Sequence, residues 1–481
     1  MPIIFKIFMQ KRAPWLIFIL VAIAQFMVVL DSAITNVALP TIKQQLHFSN
    51  TSLQWVVTAY ALTFGGFLLF GGRAADLFGR RRVLLFGITG FTIFSLLIGF
   101  SHSAVMLIVL RALQGLAAAF MSPSALSIIL VTFPGGPDRN RALAYWTLVA
   151  TGGAAIGLLL GGVLTQTLGW RWNFFVNVPV GIAIVFAILK IVPAVEAEEK
   201  TKSLDLLGAI LVTSSLMLQV LAFSQASSWG WISLRTFGTL AAALVLLAGF
   251  LYNESKNKHP LMPLSILKIR NVIGANLMMA PIYGTMLGMF FLTTIYIQNV
   301  MHYSPIKTGI SFLPFPIILA IMSMRIPKIV ARFGFKRFLV FGPLLAAVGV
   351  AWLMVLPESG SYLKNILPAL IIIPLGTGMT FMPIYAAATS GVPAHEAGLA
   401  SGLITTSQQM GGALGLAILS GVATSATAQA VHLTPVAALV RGFDRAYLVG
   451  AIFMLVASFL GLVVIRQKRS SQEFHEPIIG A

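Results

Sequence analysis

Apolar runs of about 20 residues, the length that crosses a bilayer as a helix, recur fourteen times along this chain. They fall near residues 15–39, 53–71, 82–101, 104–125, 141–164, 173–192, 205–223, 236–252, 271–297, 306–325, 337–356, 364–388, 399–423 and 446–466. In hydrocarbon each backbone N–H and C=O must find its partner inside the segment, so every run is expected to be a helix. Of 481 residues 58% are hydrophobic and 9% charged, against about 25% charged in soluble domains. That balance excludes a soluble fold and requires a polytopic membrane protein. The net charge of +19 would suit nucleic acid if it were gathered on one surface. It is instead dealt out in small groups between apolar runs, the pattern of positive-inside loops, so no nucleic-acid partner is expected. Cysteine is absent, which excludes disulfides, thiolate ligands and thiol nucleophiles. The basic stretch 1–15 leads into a run that continues past the cleavage-like Ala22-Ile23-Ala24 and reads as an uncleaved first span.

With the N-terminus inside, 24 of the 32 Lys and Arg residues fall on the cytoplasmic side, seven outside, and one, Arg111, within a span. Both termini are therefore expected in the cytoplasm, and the regular alternation supports the count of fourteen. The chain also repeats itself. RAADLFGRRRVLLFG at 73–87 matches KIVARFGFKRFLVFG at 328–342, a shift of 255 residues. Two six-span halves separated by a two-span insertion account for that offset, and parallel repeats of this kind mark two-bundle secondary transporters. The expected division is an N-terminal six-helix bundle over 1–192, two inserted transmembrane helices with flanking cytoplasmic loops over 193–270, and a C-terminal six-helix bundle with a short tail over 271–481.

Asp31 lies within the first span, where a carboxylate costs about 2.5–3.5 kcal/mol on insertion scales. The other acidic residues read as lying in loops, tails or span ends, Asp205 being the nearest to an exception. At 1.5 Å per residue, Asp31 and Arg111 both sit roughly 10 Å below the outer surface. An isolated acid and an isolated base at one depth are expected to pair. A static ion pair is one reading, but apolar replacements of buried pairs are often neutral or stabilising. A proton switch is the other. Burial favours the neutral acid and a guanidinium favours the carboxylate, so separating the two during the conformational change would let Asp31 bind and release a proton in competition with substrate. Direct attraction of a cationic substrate is a third role, compatible with the second.

In the loop 72–84, Gly72, Asp76, Gly79, Arg80 and Arg81 are candidates for an inner gate that pins one bundle against its neighbour; a purely topogenic basic loop is the alternative. On the fifth span Gly153, Gly157 and Gly161, with Gly162, leave one face bare for close helix contact, either sealing the inner half of the pathway or simply packing. Gly411, Gly412 and Gly415 make a comparable face on the thirteenth span. Candidates for the substrate cavity are Gln25, Asn36, Gln54, Tyr60, Gln114, Asn276, Tyr283, Gln298, Tyr385, Gln408 and Gln409, each of which could equally make an interhelical hydrogen bond. Trp170, Trp172, Trp229 and Trp231 are expected to anchor the outer interface. All seven histidines read as loop or tail residues, and no metal-ligand cluster, phosphate-cradling loop or paired carboxylates stand out. Enzyme chemistry, a metal and a cofactor are therefore not expected.

Segment 72–84 resembles the loop signature of the major facilitator superfamily in Gly72, Asp76, Gly79, Arg80 and Arg81, departing at Ala74 and Leu77. LDSAITNVALP at 30–40 is similar to the first-span signature of the fourteen-span drug:proton antiporter branch, with Asp31, Asn36, Ala38, Leu39 and Pro40 in place. LIVLRALQGLAAA at 107–119 resembles the fourth-span signature through Arg111, Gln114 and Gly115. GAAIGLLLGG at 153–162 resembles the antiporter signature of the fifth span, with Leu158 where that signature has proline, and WRWNFFVNVPVG at 170–181 is close to the sixth-span entry. The resemblance implies an all-α integral membrane protein with the two-bundle facilitator fold plus two extra central helices. It also implies proton-driven export of small hydrophobic or cationic compounds, as in multidrug and antibiotic efflux, from a bacterial inner membrane. The partners implied are substrate, protons and the lipid bilayer; a monomer is expected, and an accessory export protein is left open. Export of an endogenous lipid or secondary metabolite is the main alternative. Uptake by symport and a non-transporting membrane sensor or enzyme rank behind it.

Overall fold

The computed structural model describes residues 2–133, 136–193, 204–257, 259–392 and 397–467. Regular structure among these residues is helical throughout. The N-terminal half comprises α1 (Pro2–Gln45), the single turn α2 (Asn50–Leu53), α3 (Trp55–Phe78), α4 (Arg80–Gly99), α5 (Ala104–Thr132), α6 (Gly136–Thr167), α7 (Trp172–Phe175) and α8 (Asn177–Ile191). Next come α9 (Leu206–Trp229) and α10 (Leu234–Lys256). The C-terminal half comprises α11 (Arg270–Asn299), α12 (Pro305–Ser311), α13 (Pro314–Phe333), α14 (Lys336–Trp352), α15 (Leu367–Thr389), α16 (Ala397–Gln429) and α17 (Pro435–Val463). Among the described residues thirteen helical segments are long and apolar enough to cross a membrane, and α6 contributes a shorter apolar stretch, Gly152–Thr167. The chain is therefore a multi-pass membrane protein.

Short polar side chains start several of these helices by accepting from otherwise unpaired N–H groups of the first turn. Ser103 Oγ accepts from Met106 N at 3.2 Å, Asp205 Oδ1 from Gly208 N at 2.8 Å, and Thr434 Oγ1 from Ala437 N at 3.2 Å. Helix ends extend beyond the apolar runs. α10 continues to Lys256 and takes Glu254 into its last turns, and α17 begins at Pro435 and so includes Asp444.

The internal repeat has a physical counterpart. Gly79 and Gly334, 255 residues apart, turn the chain between α3 and α4 and between α13 and α14 with φ of 91° and 77°, a region that side-chain-bearing residues avoid. Gly87 and Gly342 let the following helix pairs touch: a Cβ would lie 2.8 Å from Met121 N at the first and 2.7 Å from Gly376 O at the second. Met121 and Gly376 are again 255 apart. The small-residue faces do the same within each half. Gly153, Gly157 and Gly161 bring α6 against Val29, Ala33 and Ile34 of α1. Gly411, Gly412 and Gly415 bring α16 against Ala280, Tyr283 and Gly284 of α11.

The hydrogen bonds that join the halves lie at the end remote from the basic loops, while α3 and α16 also pack further along, where Gln409 meets Gly65 and Leu69 meets Gly402. Gln298 Nε2 donates to Val37 O at 2.9 Å, Ile306 N to Gln166 Oε1 at 3.2 Å, and Ser420 Oγ to Gln54 Oε1. Gly309 lies directly against Leu158 O, and a Cβ on Gly162 would come within 2.7 Å of Pro305 O. The sequence allows the fifth-span glycines either to seal the inner half of the pathway or simply to pack. Gly153, Gly157 and Gly161 pack on α1 within their own half, and Gly162 meets the other half at the end remote from the basic loops, where α12 lays its backbone against Leu158 and Gly162. α9 packs on α3 and on α16, bridging the halves, while α10 packs outside it on α9.

Candidate functional site

Five helices of the N-terminal half converge on Asp31. α1 supplies the carboxyl group, α5 supplies Arg111 and, one turn on, Gln114, and α3, α4 and α8 supply Tyr60, Ser95 and Asn177. Asp31 is 0% and Arg111 1% exposed, so both charges are out of water and each needs its partner. Arg111 Nη1 donates to Asp31 Oδ2 at 2.5 Å and to Gln114 Oε1 at 2.6 Å, and Nε donates to Val56 O at 2.9 Å. Asp31 Oδ1 accepts from Gln114 Nε2 at 3.0 Å and from Asn177 Nδ2 at 3.3 Å. Gln114 Nε2 also donates to Ser95 Oγ at 2.8 Å. The guanidinium lies over the Tyr60 ring, 4.3 Å from its centroid, where the π face adds a cation–π attraction. The pair is thus neutral overall, and the carboxylate accepts three N–H groups, one of them charged.

The arrangement can do two things chemically. It pairs the Asp31 carboxyl group with the Arg111 guanidinium out of contact with water. It also leaves Arg111 with neutral acceptors, Val56 O and Gln114 Oε1, once that contact opens. Asn177 Oδ1 is buried without a partner, an acceptor beside Asp31 that a protonated carboxyl could use after the amide turns.

Gln114 and Tyr60, expected in the cavity, belong to this network. Gln25 Oε1 accepts from Ser122 Oγ at 2.8 Å, tying α1 to α5, and Asn36 Nδ2 donates to Ser32 O at 2.9 Å. Gln54 and Gln298 make the cross-half contacts given above. In the C-terminal half, Asn276 Oδ1 accepts from Ser407 Oγ at 2.7 Å and Tyr385 OH donates to Gln408 Oε1 at 3.3 Å. Tyr283 packs on Gly412, and Gln409 on Gly65 of α3. Trp170, expected at the interface, is instead fully buried, its Nε1 donating to Gln45 Oε1 at 2.8 Å. In the loop, Arg80 Nη2 stands 3.9 Å from Asp76 Oδ1, and Arg81 Nη2 donates to Leu189 O at the end of α8 at 2.6 Å, a contact inside its own half. Gly72 faces Pro123 of α5.

Ser95 and Asn177 were not singled out in the sequence. Asn177 lies within WRWNFFVNVPVG, so the motif was visible while the residue's role was not. Paired carboxylates were not expected either, yet Asp205 and Glu254 lie side by side where α9 begins and α10 ends, 4% and 3% exposed.

Known proteins resemble this chain over most of its length. The chain is 38% identical over 468 residues to a puromycin resistance protein of Streptomyces alboniger, covering 95% of this chain and 93% of that one. It is 37% identical to a cephamycin export protein of Amycolatopsis lactamdurans, covering 94% and 93%. It is 33% identical to a multidrug resistance protein of Mycobacterium tuberculosis, covering 86% and 76%. Among solved structures, an auto-inhibited peptide transporter of the POT family shares the fold at a TM-score of 0.67 and 16% identity, over 97% of this chain and 99% of that one. The Major Facilitator Superfamily model matches residues 21–416, and the chain belongs to that superfamily of transporters.

Proposed function

We propose that the protein is a proton-coupled exporter of small hydrophobic or cationic compounds of the drug and antibiotic class, working by alternating access. The observation that carries this reading is the buried Asp31–Arg111 pair with neutral polar groups ready on both sides. While the pair is closed, Asp31 is a carboxylate. When the bundle rocks and Arg111 withdraws to Val56 O and Gln114 Oε1, an unpaired carboxylate in low dielectric takes up a proton. Reclosing the pair expels it. Substrate that loosens the pair competes with the proton for the same state, and exchange follows. Relatives named for resistance to, or export of, antibiotics support the substrate class. Those named for a single compound also support a narrower reading, an exporter of one secondary metabolite.

In this reading α6 also crosses the membrane, as the fifth span, and brings the count to fourteen, with both termini and the basic loops facing the cytoplasm of a bacterial inner membrane. The two six-helix bundles lie within 1–192 and 271–481, with α9 and α10 inserted between. Closure at the end remote from the basic loops corresponds to a pathway opening inward. Tyr283, Tyr385 and Gln408 are the polar and aromatic groups that the C-terminal half would present to substrate. The partners are substrate, protons and lipid, with no cofactor.

The test is substrate-induced proton movement in proteoliposomes, screened over cationic dyes and neutral antibiotics, with Asp31→Asn as control. Coupled proton movement in the parent and none in the variant is expected. Full proton-dependent export by Asp31→Asn would overturn the mechanism, and response to one secondary metabolite alone would select the narrower reading.

A further inference from the structure

Asp205 and Glu254 form a second buried acidic site, far along the chain from Asp31 and not used by the coupling mechanism. Asp205 Oδ1 caps α9 and its Oδ2 accepts from Asn253 Nδ2 at 2.6 Å. Glu254 Oε2 accepts from Met262 N at 3.0 Å. The remaining oxygen, Glu254 Oε1, is buried and has no donor. It lies beside Asp205: a single Cβ built on Gly208 would be 2.5 Å from Asp205 Oδ2 and 3.0 Å from Glu254 Oε1, so the two carboxyl groups border the same small buried space.

Two carboxylates so placed are both acceptors, and each repels the other in a medium that screens poorly. One proton converts the contact into an O–H···O⁻ bond, among the strongest neutral-to-charged hydrogen bonds. Among the described residues, charged and titratable groups on neighbouring elements are Lys256 on α10, His259 on the following connection, Arg73 and Asp76 on α3, and Arg82 on α4, while the partners of the two carboxyl groups are Gly208 N, Asn253 Nδ2 and Met262 N. Toward α3 the pair is backed by apolar contact among Phe70, Ala209 and Leu261.

We propose that Asp205 and Glu254 bind one proton between them, and that this shared proton clips the inserted helices to both halves. Glu254 holds the Met262 backbone, which leads into α11. Asp205 starts α9, which packs on α3 and α16. With the proton in place these anchors close on one another; without it the two carboxylates push α9 and α10 apart. The folded chain then holds a proton that the unfolded chain releases, so stability falls as pH rises.

The test is infrared difference spectroscopy and thermal unfolding of the purified full-length protein, comparing parent, Glu254→Gln and Asp205→Asn. The asparagine can still cap α9, and either amide can donate to the remaining carboxylate. The parent is expected to show a protonated-carboxyl stretch that both variants lose, and an apparent Tm several degrees lower in mildly alkaline than in mildly acidic buffer. In Glu254→Gln that alkaline loss should shrink to a small fraction. Persistence of the band in both variants, or an unchanged alkaline loss, overturns the proposal. Alkaline stability of the parent restored by sodium but not by choline also overturns it, since the occupant would then be a metal cation. None of these readouts depends on transport, so the outcome is separate from that of the coupling reading.

Discussion

Neutralising Asp31 and Arg111 together distinguishes a pair that holds the bundle from a pair that moves protons. Asp31→Asn alone leaves the Arg111 guanidinium 1% exposed with Val56 O and Gln114 Oε1 as its acceptors. Removing one partner of a buried pair in this way costs about 3–5 kcal/mol. Arg111→Gln removes the 2.5 Å donor to Asp31 Oδ2 but spares the donors Gln114 and Asn177 on Oδ1. The acid can then hold a proton, and the loss should be nearer that of one charged hydrogen bond, about 1.5–3 kcal/mol. In the double variant Asp31→Asn/Arg111→Gln no charge is stranded and two amides face each other. Its loss of stability should fall short of the sum of the single losses by about 0.5–3 kcal/mol, the range for residues in direct contact. Thermal unfolding in nanodiscs measures that recovery. Proton release on substrate addition, in proteoliposomes of the same proteins, measures coupling. The expected result is recovered stability with no recovered coupling. Proton-driven export returning in the double variant would show that the pair is structural, and strictly additive single effects would show that the two side chains do not act on one another.

Three further expectations follow from contacts elsewhere. Gly161→Val places its Cβ within 2.7 Å of Ile34 Cα, so α6 must shift off the helix that bears Asp31; a loss of about 1–3 kcal/mol and a fall in efflux are expected by unfolding and drug-susceptibility assays, with Gly153→Ala, which meets only side chains at 3.2 Å, much milder. Gly79→Ala and Gly334→Ala should each cost about 1–3 kcal/mol by forcing a side chain into a positive-φ conformation, with the larger loss in Tm at Gly334, where the new Cβ also displaces the Gln467 side chain that accepts from Lys336 N. Gly162→Val, whose Cβ would come within 2.7 Å of Pro305 O, should push α12 off α6 and lower Tm about as much as Gly161→Val, with a fall in efflux. An unchanged Tm would remove the close contact between α6 and α12.

Charge in lipid was the most legible part of the site, and neutral polarity the least. Asp31 and Arg111 could be matched in advance because each is costly alone and each depth follows from counting residues along a helix. Ser95 and Asn177 cost little wherever they sit, so no energetic argument picked them from other polar residues in the spans. Helix ends were equally hard to place. Apolarity stops before the helix does, which left Glu254 and Asp444 outside the expected spans although both lie on helices. Trp170 and the end at which the halves close depend on packing between segments distant in sequence, which periodicity within one segment does not report.

The repeat was legible and also shows how the two halves differ. The same 255-residue shift that superposes Gly79 on Gly334 and Gly87 on Gly342 carries Asp31 to Met286 and Arg111 to Ile366, both buried and apolar. The shift also carries the end of α1 to within a residue of the end of α11. The second half therefore keeps the helix scaffold at those positions and lacks the charges. A switch built on one ion pair needs one bundle to hold it and the other to move against it. Charging both would strand a second pair in the membrane at every stroke, at a cost of several kcal/mol, with no second driving ion in the proposed exchange to offset it.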